Sequence, residues 1–226
     1  MQWSTVGRIQ NRGWGYLTVL GAVIVVVGAT LVIKGEIDRV NGDSKFRDTQ
    51  EALKAGIEVV GQTATEDGRT FRPSSPEEST GSQDSGTLTT AELAAIARIQ
   101  IPSIDADWVA LEYRRYSDLE LGLGWMPQSV KLGDIGMSIV VGHRTLFGAP
   151  LRRLDEVVEG DTILVQLTSG ESLAYTIRQS VVKLPSDNFS DLISNDGQRQ
   201  LLLVTCHPED STDFRLLVVA DVVEQI

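Results

Sequence analysis

Cys206 is the single cysteine of the 226-residue chain. It closes the apolar run Leu201-Leu202-Leu203-Val204-Thr205 and precedes His207-Pro208, where the proline must end a strand. Strand ends are where a barrel exposes side chains. A buried thiol is a small, inert hydrophobe, whereas an exposed one invites oxidation and becomes a nucleophile once an imidazole stands within reach. His143 ends a second apolar run, Ser138–Gly142, and leads into a predicted loop at Arg144-Thr145. Its imidazole either makes a structural hydrogen bond or serves the thiol and later protonates a leaving amine. His207 is the rival base, but neighbours in a strand point to opposite faces, so it should face away from the Cys206 thiol. Arg215 lies nine residues after Cys206, at the start of the last apolar run. Its fork could hold a substrate carbonyl and the oxyanion formed on it, or simply pair with a surface acid such as Asp213. A metal site made of His143, Cys206 and His207 lacks a fourth ligand, and adjacent Cys-His side chains diverge in a strand.

The elements that must position these residues are short β-rich runs separated by turn signals. They are Arg98–Ile101, Trp108–Glu112, Ser138–Gly142, Thr162–Thr168, Ser172–Leu184, Leu201–Cys206 and Phe214–Val223. Between them, only Pro150–Val158 and Asn188–Ser194 read as helical. So many strands in so short a stretch specify an all-β fold, one compact barrel or sandwich. Thr89 followed by Glu92 is a capping-box pattern and predicts a short helix over Ala91–Ala97.

The N-terminal part has another texture. Trp14–Ile33 is twenty residues without a charge, enough for a helix to span about 30 Å of hydrocarbon. Arg8 and Arg12 precede it while Glu36, Asp38, Asp43 and Asp48 follow, so the positive-inside rule predicts a single-pass anchor with residues 1–13 cytoplasmic and everything after Lys34 outside the cell membrane. Apolar residues at helical spacing continue the helix until Asn41-Gly42 interrupts it, and a second amphipathic stretch carries Phe46, Leu53, Ile57 and Val60. Residues 34–60 therefore read as a helical stalk or as a pairing surface for a partner. Residues 61–90 hold few apolar side chains among Ser, Thr, Gly and acids and read as a flexible linker, leaving 91–226 as the catalytic domain.

Composition narrows the function. At 42% hydrophobic and 23% charged, neither a polytopic membrane protein nor a disordered chain fits. A net charge of −11 opposes nucleic-acid binding, which needs a basic surface.

Three segments in order, Gly142-His143-Arg144-Thr145 with Gly148-Ala149-Pro150, Leu203-Val204-Thr205-Cys206-His207-Pro208, and Phe214-Arg215-Leu216, resemble a sortase. The resemblance covers about Ile99 to Val223. The Cys-His-Pro ending and the His-Arg-Thr-Leu-Phe-Gly-Ala-Pro loop look most like the class E enzymes of Gram-positive actinobacteria. Two features depart from the pattern: Leu202 replaces a usual Thr, and Gly122-Leu123-Gly124-Trp125-Met126-Pro127 stands where many class E members carry a Gly-Pro-Gly-His-Tyr-Pro segment. The resemblance implies an eight-stranded sortase β-barrel with catalytic His143, Cys206 and Arg215, and with Thr205 and Arg215 contacting substrate. It implies cleavage of a C-terminal sorting signal of the Leu-Pro-x-Thr-Gly or Leu-Ala-x-Thr-Gly kind in secreted proteins, between Thr and Gly. Transfer is then to an amine of a peptidoglycan precursor, with no cofactor and no metal. The competing readings are a thiol hydrolase that uses water, and a catalytically silent, membrane-tethered binding module.

Overall fold

The computed structural model describes residues 13–66, 95–192 and 197–225. Eight strands form a closed barrel: β1 (Ala95–Ile101), β2 (Ala106–Glu112), β3 (Leu123–Trp125), β4 (Gly136–Val141), β5 (Thr162–Leu167), β6 (Ser172–Lys183), β7 (Arg199–His207) and β8 (Phe214–Gln225). Their order around the wall is β1-β2-β3-β4-β7-β8-β6-β5, with β5 closing on β1. Period-two alternation divides the strands between two faces. Leu201, Leu203, Leu216, Val218 and Val140 point inward and pack with Ile99, Ile163, Leu173 and Tyr175 into the main core. Leu202, Leu217, Val219 and Met137 point outward, yet they are buried beneath Leu192 and Phe189 of the β6–β7 connection. The barrel wall is thus apolar on both faces along β4, β7 and β8.

Several expectations are corrected. The segment 95–97 belongs to β1, not to a helix: Ala97 pairs with Ala110 on one side and Leu167 on the other, and ladder bonds outweigh the local helix signal. Over Pro150–Val158 the only helical turn is the three-residue 3₁₀ segment Leu154–Glu156, and in the described part of Asn188–Ser194 it is Ser190–Leu192, with 193–196 outside the described residues. Strand β3 carries no sequence signal, because Leu-Gly-Trp is too short to show a period.

Helix α1 (Gly13–Glu66) runs for 54 residues and is not interrupted at Asn41-Gly42. The first part of the expected linker, 61–66, is helical, while 67–94 lie outside the described residues. Two compact units are distinguished, Met1–Asn41 and Gly42–Ile226. Among the described residues no helix is long and apolar enough to cross a membrane; the side chains of 14–28, most of the expected span, lie outside the described residues. Leu31, Val32, Ile33, Ile37 and Val40 of the first unit are exposed.

Within the second unit, α1 is no free stalk. Phe46, Gln50, Leu53 and Ile57 form a buried stripe against the barrel. Phe46 packs on Trp108, with ring centroids 5.2 Å apart, and Leu53 and Ile57 join Val109, Leu111 and Leu121. Gln50 supplies the polar fit, its Oε1 accepting from Val109 N at 2.6 Å and its Nε2 donating to Leu121 O at 2.7 Å. The partner of the amphipathic stretch is the barrel itself.

Candidate active site

Strands β4 and β7 run parallel, with Val141 beside Val204. Beyond that last pair, Gly142 N donates to Val204 O at 3.1 Å and the Thr205 hydroxyl donates to Gly142 O at 2.9 Å. The register therefore carries on past the strand ends and sets His143 level with Cys206. Strands β7 and β8 are antiparallel, and Cys206 lies directly opposite Arg215 while His207 lies opposite Phe214. Directly paired residues share a face. Cys206 and Arg215 stand on the outer face with Leu202, Val204, Leu217 and Val219, at the end of the apolar strip roofed by Phe189 and Leu192. Sheet register thus brings the three sequence-derived residues to one rim.

Each has a distinct environment. Cys206 is a free, half-buried thiol. His143 is 9% exposed, with Tyr116 edge-on at 5.8 Å and Phe147 tilted at 5.2 Å between ring centroids. Burial pushes the imidazole below its ordinary pKa, opposed by the negative charge of Glu120. Its Nε2 is buried and has no hydrogen-bond partner among the described residues. Arg215 donates through Nη1 to the carbonyls of Thr212 at 2.9 Å and Phe214 at 3.0 Å, which fastens one arm of the fork to the turn before β8. Thr205, expected as a substrate contact, is buried, its hydroxyl engaged by Gly142; in this conformation it ties the two strand ends together. Among the described residues no group of three or more His, Cys, Asp and Glu is placed to hold a metal ion.

Arg144 is a site residue that sequence reasoning misses. Its side chain, 3% exposed, pairs with Asp155 at 2.7 Å. Its Nη1 reaches toward Cys206 O at 3.5 Å and lies 3.4 Å from His207 Nδ1. A buried guanidinium thus bridges the histidine strand, the cysteine strand and the loop after His143. Arginines are so rarely buried that no local pattern marks one. A cavity of about 320 Å³, lined by Ile96, Glu112, Trp125, Lys131, Leu132 and Glu171 among others, contains none of the three rim residues. The candidate site therefore lies apart from that cavity, at the rim where β7 ends and β8 begins.

A closed barrel with a thiol, an imidazole and a guanidinium brought to one rim is an architecture suited to acyl transfer. The chain belongs to the sortase family, whose members are cysteine transpeptidases: the family model for the sortase domain matches residues 99–223. It is 30% identical over 111 residues to sortase D of Bacillus subtilis, and it spans about half of that relative's length, 53%. Among solved structures it is similar to sortase A from Corynebacterium diphtheriae, with 27% identity and a TM-score of 0.55 over 87% of this chain and 96% of that one. A point mutant of sortase E from Streptomyces avermitilis matches at 26% identity and a TM-score of 0.51 over 59% of this chain and 90% of that one. Sortase C1 from Streptococcus suis gives 28% and 0.53 over 59% and 75%.

Proposed function

We propose that the protein is a membrane-anchored transpeptidase that cleaves a C-terminal Leu-Pro-x-Thr-Gly or Leu-Ala-x-Thr-Gly signal between Thr and Gly and joins the Thr carbonyl to a cell-wall amine. One observation carries this reading: Cys206 and Arg215 oppose each other on the outer face, with His143 in register beside them, at the end of an apolar strip. In the first half-reaction the Cys206 thiol proton passes to His143 as Sγ forms a bond to the Thr carbonyl carbon, and the tetrahedral oxyanion is held by Arg215. The C–N bond then breaks as His143 gives its proton to the Gly amine. In the second, the acceptor amine attacks the thioester, its proton passes to His143, and the thiolate leaves. The half-buried side chains of Ile139, Val181, Phe189 and Val204 supply an apolar wall for the Leu and Pro or Ala of the signal.

The class E subclass rests on the Cys206-His207-Pro208 ending and the His143–Pro150 loop. Membrane attachment through 14–33, with the N-terminus cytoplasmic and the barrel outside, rests on the uncharged stretch and the flanking charges. The test uses the full chain in detergent with Leu-Pro and Leu-Ala signal peptides and an amine acceptor, read by mass. The expected result is a Thr-amine product; hydrolysis alone with saturating amine supports the thiol-hydrolase reading, and no cleavage of either peptide supports the silent module.

A further inference from the structure

The loop after His143 has an unusual backbone. Phe147, Gly148 and Ala149 have φ of +49°, +71° and +48°, three consecutive left-handed residues of which two carry a Cβ. Such a conformation is disfavoured for L-residues and persists only where neighbours impose it. Within the loop, Ala149 N donates to Leu146 O and Leu151 N to His143 O. The Gly148 N–H is turned outward, and it is taken up by Asp43 Oδ1 of α1 at 2.8 Å. A Cβ on Gly148 would run into the Phe46 ring, and a Cβ on Gly42 would lie 3.4 Å from Phe147 Cδ1. Phe147 in turn is the ring tilted against His143.

Three positions of the helix are therefore fitted to the loop: Gly42 to Phe147, Asp43 to the Gly148 amide, Phe46 to the space a side chain on Gly148 would fill. We propose that Asp43 is a positioning residue for His143, holding the left-handed turn that presses Phe147 against the imidazole, so that the docked part of α1 is a working component of the site. The remaining anchors of the helix lie elsewhere on the barrel, where Lys54 pairs with Asp107 at 3.2 Å and Glu58 with Arg98 at 2.8 Å. Asp43 therefore acts on the loop, while Lys54 and Glu58 merely seat the helix. The proposal rests on the reading of His143 as the group that protonates the leaving amine.

The test compares single-turnover acylation by a sorting-signal peptide in full-length wild type, Asp43→Ala, Asp43→Asn, Asp43→Glu and Lys54→Ala, with amide exchange of the 143–150 loop followed in parallel. Asn retains an acceptor oxygen at the same reach, whereas Glu keeps the charge but moves the acceptor by one methylene. Asp43→Ala and Asp43→Glu are expected to lose tenfold or more in the maximal acylation rate, with half-saturation changed less than twofold and faster loop exchange. Asp43→Asn is expected to recover most of the rate, and Lys54→Ala to match wild type. The proposal is overturned if both Ala and Glu variants stay within twofold of wild type, or if Lys54→Ala loses as much as they do. A wild type that forms no acyl-enzyme overturns the functional reading instead, and loop exchange unchanged in Asp43→Ala would then overturn the positioning claim on its own.

Discussion

Cys206 and Arg215 are direct cross-strand partners on β7 and β8, so the thiol and the guanidinium leave the sheet on the same face. One arm of the guanidinium holds the carbonyls of Thr212 and Phe214, which leaves the rest of the fork for a substrate oxygen. Arg215→Lys keeps the charge and loses the planar fork. If the fork holds the oxyanion, the substitution costs about 3 kcal/mol of transition-state stabilisation, on the order of a hundredfold in acylation rate. Single-turnover acylation of the lysine variant measures this, and a loss of only a few-fold would assign Arg215 to the turn.

His143 makes stability depend on pH in a defined direction. Burial lowers its folded-state pKa, the largest influence on it, with Glu120 acting in opposition. The unfolded chain then binds the proton more tightly than the folded one, so stability rises with pH across the interval from the folded value up to the ordinary histidine pKa of about 6.5. Acidification through that interval should destabilise the wild type more than His143→Gln, as denaturant titrations at a series of pH values would show. Glu120→Gln removes the opposing charge and should move the histidine-dependent limb to still lower pH.

The Arg144–Asp155 ion pair, buried on one side only, predicts an asymmetry. The Arg144 side chain is 3% exposed, whereas that of Asp155 is 45% exposed. Asp155→Ala leaves a buried cation without its counter-charge, and because Asp155 itself is partly solvated the cost stays below the roughly 3 kcal/mol of a pair buried on both sides. Arg144→Met leaves an acid that water can solvate and fills the space with an apolar chain. Unfolding titrations should therefore find Asp155→Ala the more destabilised of the two, while Arg144→Met, which releases the link toward Cys206 and His207, should be the more impaired in acylation.

Phe46 is fully buried although it sits on the helix that precedes the barrel by sequence. Truncating a buried Phe removes its transfer energy and leaves a cavity, about 3–5 kcal/mol. Phe46→Ala should lower the stability of the barrel itself, seen as earlier amide exposure in β2 at Trp108 and Val109. Unchanged exchange there would mean that helix and barrel are energetically independent.

What is legible in the sequence follows from the range of the forces involved. The turning of His207 away from the Cys206 thiol follows from alternation in a single run, and the pairing of that run with Phe214–Val223 fits a short connecting turn, whereas Thr205, expected against substrate, is buried with its hydroxyl on Gly142 O. The docking of α1 does not follow, because Asp43 meets Gly148 across 105 residues and neither type signals the other. Asn41-Gly42 is a breaker by local rules, yet Gly42 sits in the helix against Phe147, where a larger residue would be tighter. The stripe of residues 46, 50, 53 and 57 is visible only in part, since Gln50 hides its burial behind a polar type and reveals it through its bonds to Val109 and Leu121. Arg144 is hidden for the same reason.

In the proposed reaction Cys206 forms the acyl-enzyme, since only a thiol at that rim position can carry the thioester. Full-length protein mixed with a sorting-signal peptide in the absence of amine, quenched in acid and digested, reports the mass of the peptide containing residue 206. This peptide should gain the mass of the signal up to its Thr, hydroxylamine should remove the adduct, and Cys206→Ala should show none while keeping its fold. An adduct elsewhere in the chain, or cleavage of the signal by Cys206→Ala, would contradict that role of Cys206.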